Sequence, residues 1–313
     1  LLILLCLPMI GFGQNVNIPD ANFKAYLVGN TAINTNGDTE IQFSEATPFA
    51  GSINCSDLGI FDLTGIEAFT DLTFLECDNN QLTSLDVSGT TALTSLVCQF
   101  NQITSLDVSA NTALSELICN NNQLTSLDVS GTTALTSLGC EFNQLTSLDV
   151  SQNTALTELS CNHNQITSLD VSTNLALTGL ICAYNPLTSL DFSTNTALTI
   201  LWCEGNQLTS LDVRNGNNII ISYIFATNNP NLSCINVDDF QYSLMNWTGS
   251  GFSLDPQHYF SNNCPPSAIE EHTTNKNILK IIGILGRETK ATNNEVLFYI
   301  YDDGTVEKRI VIE

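Results

Sequence analysis

The chain has 313 residues, 43% of them hydrophobic, and carries 8 Lys+Arg against 32 Asp+Glu for a formal net charge of −24. Residues 14–275 hold two basic side chains, Lys24 and Arg214, against 26 acidic ones, whereas residues 276–313 hold six of each. A body this acidic repels phosphate backbones and anionic lipid surfaces, which excludes nucleic acid as a partner and sets a domain boundary near residue 275.

Residues 1–13, LLILLCLPMIGFG, form a short apolar run ending in small residues. The run reads as the core and cleavage site of a secretory signal peptide, with a few further residues expected upstream. It is too short to span a bilayer, so the mature protein is expected to have no transmembrane span.

Next comes a small helical N-terminal cap, residues 14–50. IPDANFKAYLV (18–28) reads as an amphipathic helix starting near Asp20. NTNGDTEIQFSE (34–45) follows and resembles an EF-hand calcium loop. Asn34, Asn36 and Asp38 stand at positions 1, 3 and 5, Glu40 at 7 and Glu45 at 12, and the resemblance implies Ca²⁺ held by these oxygens. Thr39 replaces the expected glycine and Pro48 cuts short an exit helix, so a metal-free turn is the competing reading.

From residue 51 to 232 one phrase returns every 21 residues, as in LTSLVCQFNQITSLDV (93–108). A fixed period of this length means one supersecondary unit stacked many times. Leu93, Leu96, Cys98, Asn101 and Ile103 fit the leucine-rich pattern, with Cys in the third Leu position. The phrase resembles the 21-residue bacterial leucine-rich repeats with Cys in the strand and LD-x-S after it. The fold class that follows is mainly β: a leucine-rich repeat solenoid with a parallel sheet on its concave face.

Nine strands are expected, centred near residues 54, 76, 97, 118, 139, 160, 181, 202 and 225. Leu96 and Cys98 are two apart and point inward together, so Ser95, Val97 and Gln99 point outward. The cysteine column (Cys77 to Cys203) is expected to be buried packing, because stacked thiols lie at the strand spacing rather than at disulfide distance and a dry core offers no counter-charge for a metal. The asparagine column (Asn80 to Asn206) is expected to satisfy buried backbone groups. The aspartate column (Asp86 to Asp212) is expected to cap local turns, with a calcium ladder as the alternative.

Residues 233–275 read as a C-terminal cap and linker. Cys234 and Cys264 break the period and are expected to bridge over the open edge, with Trp247, Tyr242 and Phe252 as the small core. Residues 276–313 offer strands at ILKIIGIL, EVLFYIYD and TVEKRIVI, the last two joined by an Asp303-Gly304 turn into an antiparallel hairpin. ILGRETK and FYIYDDGTVEKRIVIE resemble the type A C-terminal sorting domain of the type IX secretion system of Bacteroidetes. That resemblance implies engagement of the type IX machinery, passage across the outer membrane, and a cell-surface or extracellular destination.

Function is expected on the concave face, where the side chains that vary between units collect. Val97, Phe100, Ile118, Phe142, His163, Tyr184, Ile200 and Trp202 are the candidate ligand-binding residues, for a protein or glycan. Glu141 and Glu158 form a carboxylate pair on adjacent strands, but no nucleophile–base set or metal cluster accompanies them, so a non-catalytic binding or adhesion module is expected. An acidic structural coat without a specific ligand is the alternative.

Overall fold

The computed structural model describes residues 14–265 and three strands, Ile278–Gly283, Val296–Tyr301 and Val306–Ile310; residues 1–13 and the Asp303-Gly304 turn lie outside the described residues. The chain divides into two compact units, 1–265 and 266–313. In the second, the three strands form an antiparallel sheet in chain order, so Ile278–Gly283 joins the expected hairpin at its Val296–Tyr301 side.

The first unit is a right-through stack of rungs. Ten three- or two-residue strands, Ser52–Asn54 through Phe252–Ser253, pair in parallel and in sequence order. Register is fixed at every step: Leu75, Leu96, Leu117, Leu138, Leu159, Leu180 and Leu201 are successive partners. A one-residue slip would turn this leucine row outward, so the alternation specifies the pairing. The tenth strand, Phe252–Ser253, is one more than the repeat predicts. It lies in the cap and lacks the repeat phrase, yet continues the ladder against Tyr223–Phe225.

About ten residues after each concave strand, the LDVS phrase forms a second, ragged layer. Ser189–Asp191, Ser210–Asp212, Cys234–Asn236 and Tyr259–Ser261 make a four-stranded parallel sheet, and Leu85–Asp86 pairs with Leu106–Asp107. The aspartate column does cap turns: Oδ1 of Asp86, Asp107, Asp128, Asp149, Asp170 and Asp191 accepts the backbone N–H two residues on, at 2.8 or 2.9 Å. The Ser88 hydroxyl and N–H hold the Asp86 carboxyl below the usual range despite a like charge at Asp107.

Between the layers the core is one continuous column of apolar side chains. In a typical rung Leu114, Leu117, Cys119, Leu124 and Val129 are all buried, each leucine contributing about 1.5–3 kcal/mol by its removal from water. Cys55 extends the cysteine column one rung further than the Asn pattern indicates, and all eight column thiols are free and buried.

Two caps close the stack. Helix Ala21–Gly29 begins where Asp20 accepts the N–H of Asn22 and Phe23, and it buries Phe23 and Leu27 against the first rung. At the other end Cys234 and Cys264 form a disulfide across 30 residues, contributing about 3.6 kcal/mol by loop restriction. Trp247 is buried there, stacked on Phe252 at 5.5 Å and edge-on to Phe260 at 5.4 Å. Phe260 thus takes the place expected for Tyr242, which is half-buried on the helix Phe240–Asn246 with its hydroxyl donating to the Ile219 carbonyl at 3.5 Å.

Candidate functional site

The asparagine column creates the surface as well as the core. Each inward Asn follows a residue with positive φ, so the chain leaves the strand, flips once in the left-handed region, and returns. That flipped position is Asp57, Asn79, Phe100, Asn121, Phe142, His163, Tyr184, Gly205 and Asn228, with φ between 50° and 65°. Its N–H still reaches the next rung, as in Phe142 N to Asn162 O at 3.0 Å and Tyr184 N to Glu204 O at 2.8 Å. Glycine and asparagine adopt this conformation readily, whereas an aromatic residue pays roughly 1–2 kcal/mol.

The aromatic members are brought together. His163 stacks between Phe142, at 4.3 Å and 14°, and Tyr184, at 4.4 Å and 13°. Beyond Tyr184 the column holds Gly205, where a Cβ would come within 2.6 Å of the tyrosine ring. Both faces of His163 and of Tyr184 are therefore covered, by the neighbouring rings and by the Gly205 backbone, whereas Phe142 ends the stack and is 48% exposed. Each stacked pair contributes about 0.5–1.5 kcal/mol, which offsets the backbone strain only in part.

This placement corrects the expected geometry. Phe100, Phe142, His163 and Tyr184 stand on the turn past the strand and not on the strand itself. Phe100 is 48% exposed but separate, because Asn121 stands between it and Phe142. Trp202 does sit on a strand, edge-on to Phe225 at 5.0 Å, and Tyr223 and Phe74 are exposed on the same sheet. Val97 lies in register between Glu76 and Ile118, half-buried. Ile118 and Ile200, with Ile181, border a depression of about 380 Å³ floored by Ser137, Gly139, Ser160 and Gly179. The sheet is therefore dented where it was expected to be evenly open. Glu141 and Glu158 line the same dent.

The loop 34–45 turns its oxygens toward its own N–H groups. Glu45 accepts from Thr35 N and Asn36 N through one oxygen and from Gln42 N through the other. Asp38 accepts from Glu40 N and Gln42 Nε2, Asn34 Oδ1 from Gly37 N, and Asn36 Nδ2 donates to Gln42 Oε1. Glu40 is paired with Lys24 at 2.7 Å. Among the described residues no group of three acidic, His or Cys side chains is placed to hold a metal. The arrangement does not fit a hard cation needing 6–8 oxygens, and we propose that the loop is a self-capped turn. Calcium in large excess is then expected to move the melting temperature by under about 1 °C, where a site filled at 100 times its Kd would raise it by several degrees.

A scan of protein-family models and a search of curated proteins find no match to this sequence. Among solved structures, internalin C2 of Listeria monocytogenes is similar over 72% of this chain and 96% of its own, at 20% identity and a TM-score of 0.52. The fold is a leucine-rich repeat solenoid. A leucine-rich repeat protein of Leptospira interrogans matches over 67% of this chain and 59% of its own length, at 20% identity and a TM-score of 0.52. The functional domain of InlJ from Listeria monocytogenes, which includes a cysteine ladder, aligns with 94% of this chain and 97% of that domain, at 24% identity and a TM-score of 0.36. Likeness at these identities concerns the fold alone, and the ligand has to be argued from the solenoid's own concave residues.

Proposed function

We propose that this solenoid is an exported, non-catalytic binding protein that holds a protein partner against its concave face at the cell surface. The observation that carries the reading is the left-handed aromatic column. Asn121 and Gly205 fill the same turn without strain, so folding does not ask for Phe142, His163 or Tyr184 there. Their exposed edges, and the exposed Trp202 and Tyr223 on the following strands of the sheet, supply aromatic contact points of the kind that make a binding hot spot. Because the faces of His163 and Tyr184 are filled, the middle of this column offers ring edges, which suit side chains of a protein better than sugar rings that need an open aromatic face.

Export rests on the apolar run 1–13 and on the resemblance of residues 284–313 to type IX sorting domains, with the type IX machinery as the carrier. Among the described residues no helix is long and apolar enough to cross a membrane. Immobilised protein is expected to retain a surface protein from host or community extracts saturably. Replacing Tyr184→Ala together with Trp202→Ala should weaken that retention at least tenfold while the protein still melts in one cooperative transition, lowered by no more than the lost ring contacts. Equal retention by both forms would move the site off this face, and no saturable partner at all would favour the acidic coat.

A further inference from the structure

Identical rungs make a missing side chain easy to locate. Ser137, Glu158 and Gly179 are partners on one outward row, and Ile118, Gly139, Ser160 and Ile181 on the other. Two glycines and two serines on adjacent strands leave the 380 Å³ depression, and Ile118, Ile181 and Ile200 stand at its rim. Glu141 leans in over the first glycine: a Cβ at Gly139 would lie 3.1 Å from Glu141 Oε2 and 3.2 Å from Ile118 Cδ1. That carboxylate oxygen is shielded from solvent and accepts no hydrogen bond from the protein. A shielded acceptor without a donor is unfavourable, the more so with Glu158 lining the same dent.

The repeat body has no cation to offer. The only two basic residues of 14–275, Lys24 in the N-terminal cap and Arg214 in the last repeat, are already paired with Glu40 and Asp212. We infer that the depression receives a lysine or arginine side chain of the partner protein. The methylene stem lies against the three isoleucines and the charged head on Glu141 and Glu158. An aliphatic stem with a cationic tip matches both halves of the site, whereas a bare metal ion would meet isoleucine where it needs oxygen. A neutral alkyl group would leave the Glu141 oxygen unpaired. The inference rests on the concave-face reading above and names the chemistry recognised there.

The test uses the full chain with ¹³C-labelled isoleucine methyl groups and Nα-acetyl-lysine amide as the probe. Saturable shifts at Ile118, Ile181 and Ile200 are expected, with a Kd of about 1–10 mM. Glu141→Gln should weaken the probe by about tenfold without altering the remaining methyl spectrum, and 0.5 M salt should weaken it as well. Nα-acetyl-norleucine amide, the same shape without the charge, should leave these methyls in place. Equal shifts from norleucine, undiminished binding by Glu141→Gln, or no shift at 50 mM lysine probe would each overturn the inference. Tyr184→Ala with Trp202→Ala should lose the partner yet keep the probe. Loss of probe binding with aromatic-dependent partner capture intact would therefore refute the cation site alone, and the reverse would refute the concave-face reading.

Discussion

Raising the pH from 8 to about 10.5 is expected to unfold the repeat body in one cooperative step. Burial holds the thiols of Cys55, Cys98, Cys161 and Cys203 at about 12, and those of Cys77, Cys119, Cys140 and Cys182 well above their ordinary value. In the unfolded chain the same thiols ionise near 9. The folded values are the raised ones, so the protonated column's contribution is complete below the unfolded value and is lost as pH climbs from there toward 12. At pH 10 each thiol favours the unfolded chain by about 1.4 kcal/mol. Eight of them together give about 11 kcal/mol, comparable with the whole stability of a folded domain, about 5–15 kcal/mol. Urea unfolding at several pH values reads the slope directly. Replacing Cys119, Cys140, Cys161 and Cys182 by alanine should roughly halve it. A wild-type protein that stays folded at pH 11.5, or a slope indifferent to the four replacements, would mean that solvent reaches the column.

The same columns explain how far the sequence alone could be read. Any residue that recurs every 21 positions and faces a uniform environment was legible: the leucines and cysteines inward, Asp86 and its equivalents in turns, Asn80 and its equivalents on backbone groups. The aromatic turn is the misplaced part: Phe100 and its equivalents were counted with the strand's outward positions, although the strand ends at Val97 and residue 100 belongs to the turn. The column itself held the signal, since its members alternate aromatic residues with Asn79, Asn121, Gly205 and Asn228, the residue types that tolerate positive φ. The dent at Gly139 and Gly179 is a property of missing side chains on neighbouring strands and shows only when the rungs are laid in register. The tenth strand and the Phe260 contact belong to the cap, where no repeat offers an internal comparison. A second buried column also went unread: Thr90, Asn111, Thr132, Asn153, Asn174 and Asn195, all at zero exposure beneath the LDVS layer.

These two amide columns differ in what they do, and substitution should separate them. Asn143 makes a full set of contacts: Nδ2 donates to the carbonyls of Cys119, Cys140 and Glu141 at 3.1–3.2 Å, and Oδ1 accepts from Leu124 N at 2.9 Å. Alanine there strands the buried Leu124 N–H, at about 1–3 kcal/mol, and takes one of two amide donors from each of the Cys119 and Cys140 carbonyls, which keep Asn122 and Asn164. Asn143→Ala is therefore expected to destabilise by about 2–4 kcal/mol. Asn153 donates to Val129 O and Thr132 O at 2.9 Å, but its Oδ1 has no partner to lose. Threonine already serves at that position in other rungs, where Thr90 and Thr132 bond the carbonyls of Val87 and Val129 at 2.8 Å. Asn153→Thr should thus cost under about 1.5 kcal/mol, while Asn143→Thr, too short to span from one rung's strand to the next, should cost nearly as much as alanine. Urea denaturation of the three variants decides it. If Asn143→Ala and Asn153→Thr proved equally costly, the strand-side amides would be ordinary packing, and the left-handed turn that carries the aromatic column would need another anchor.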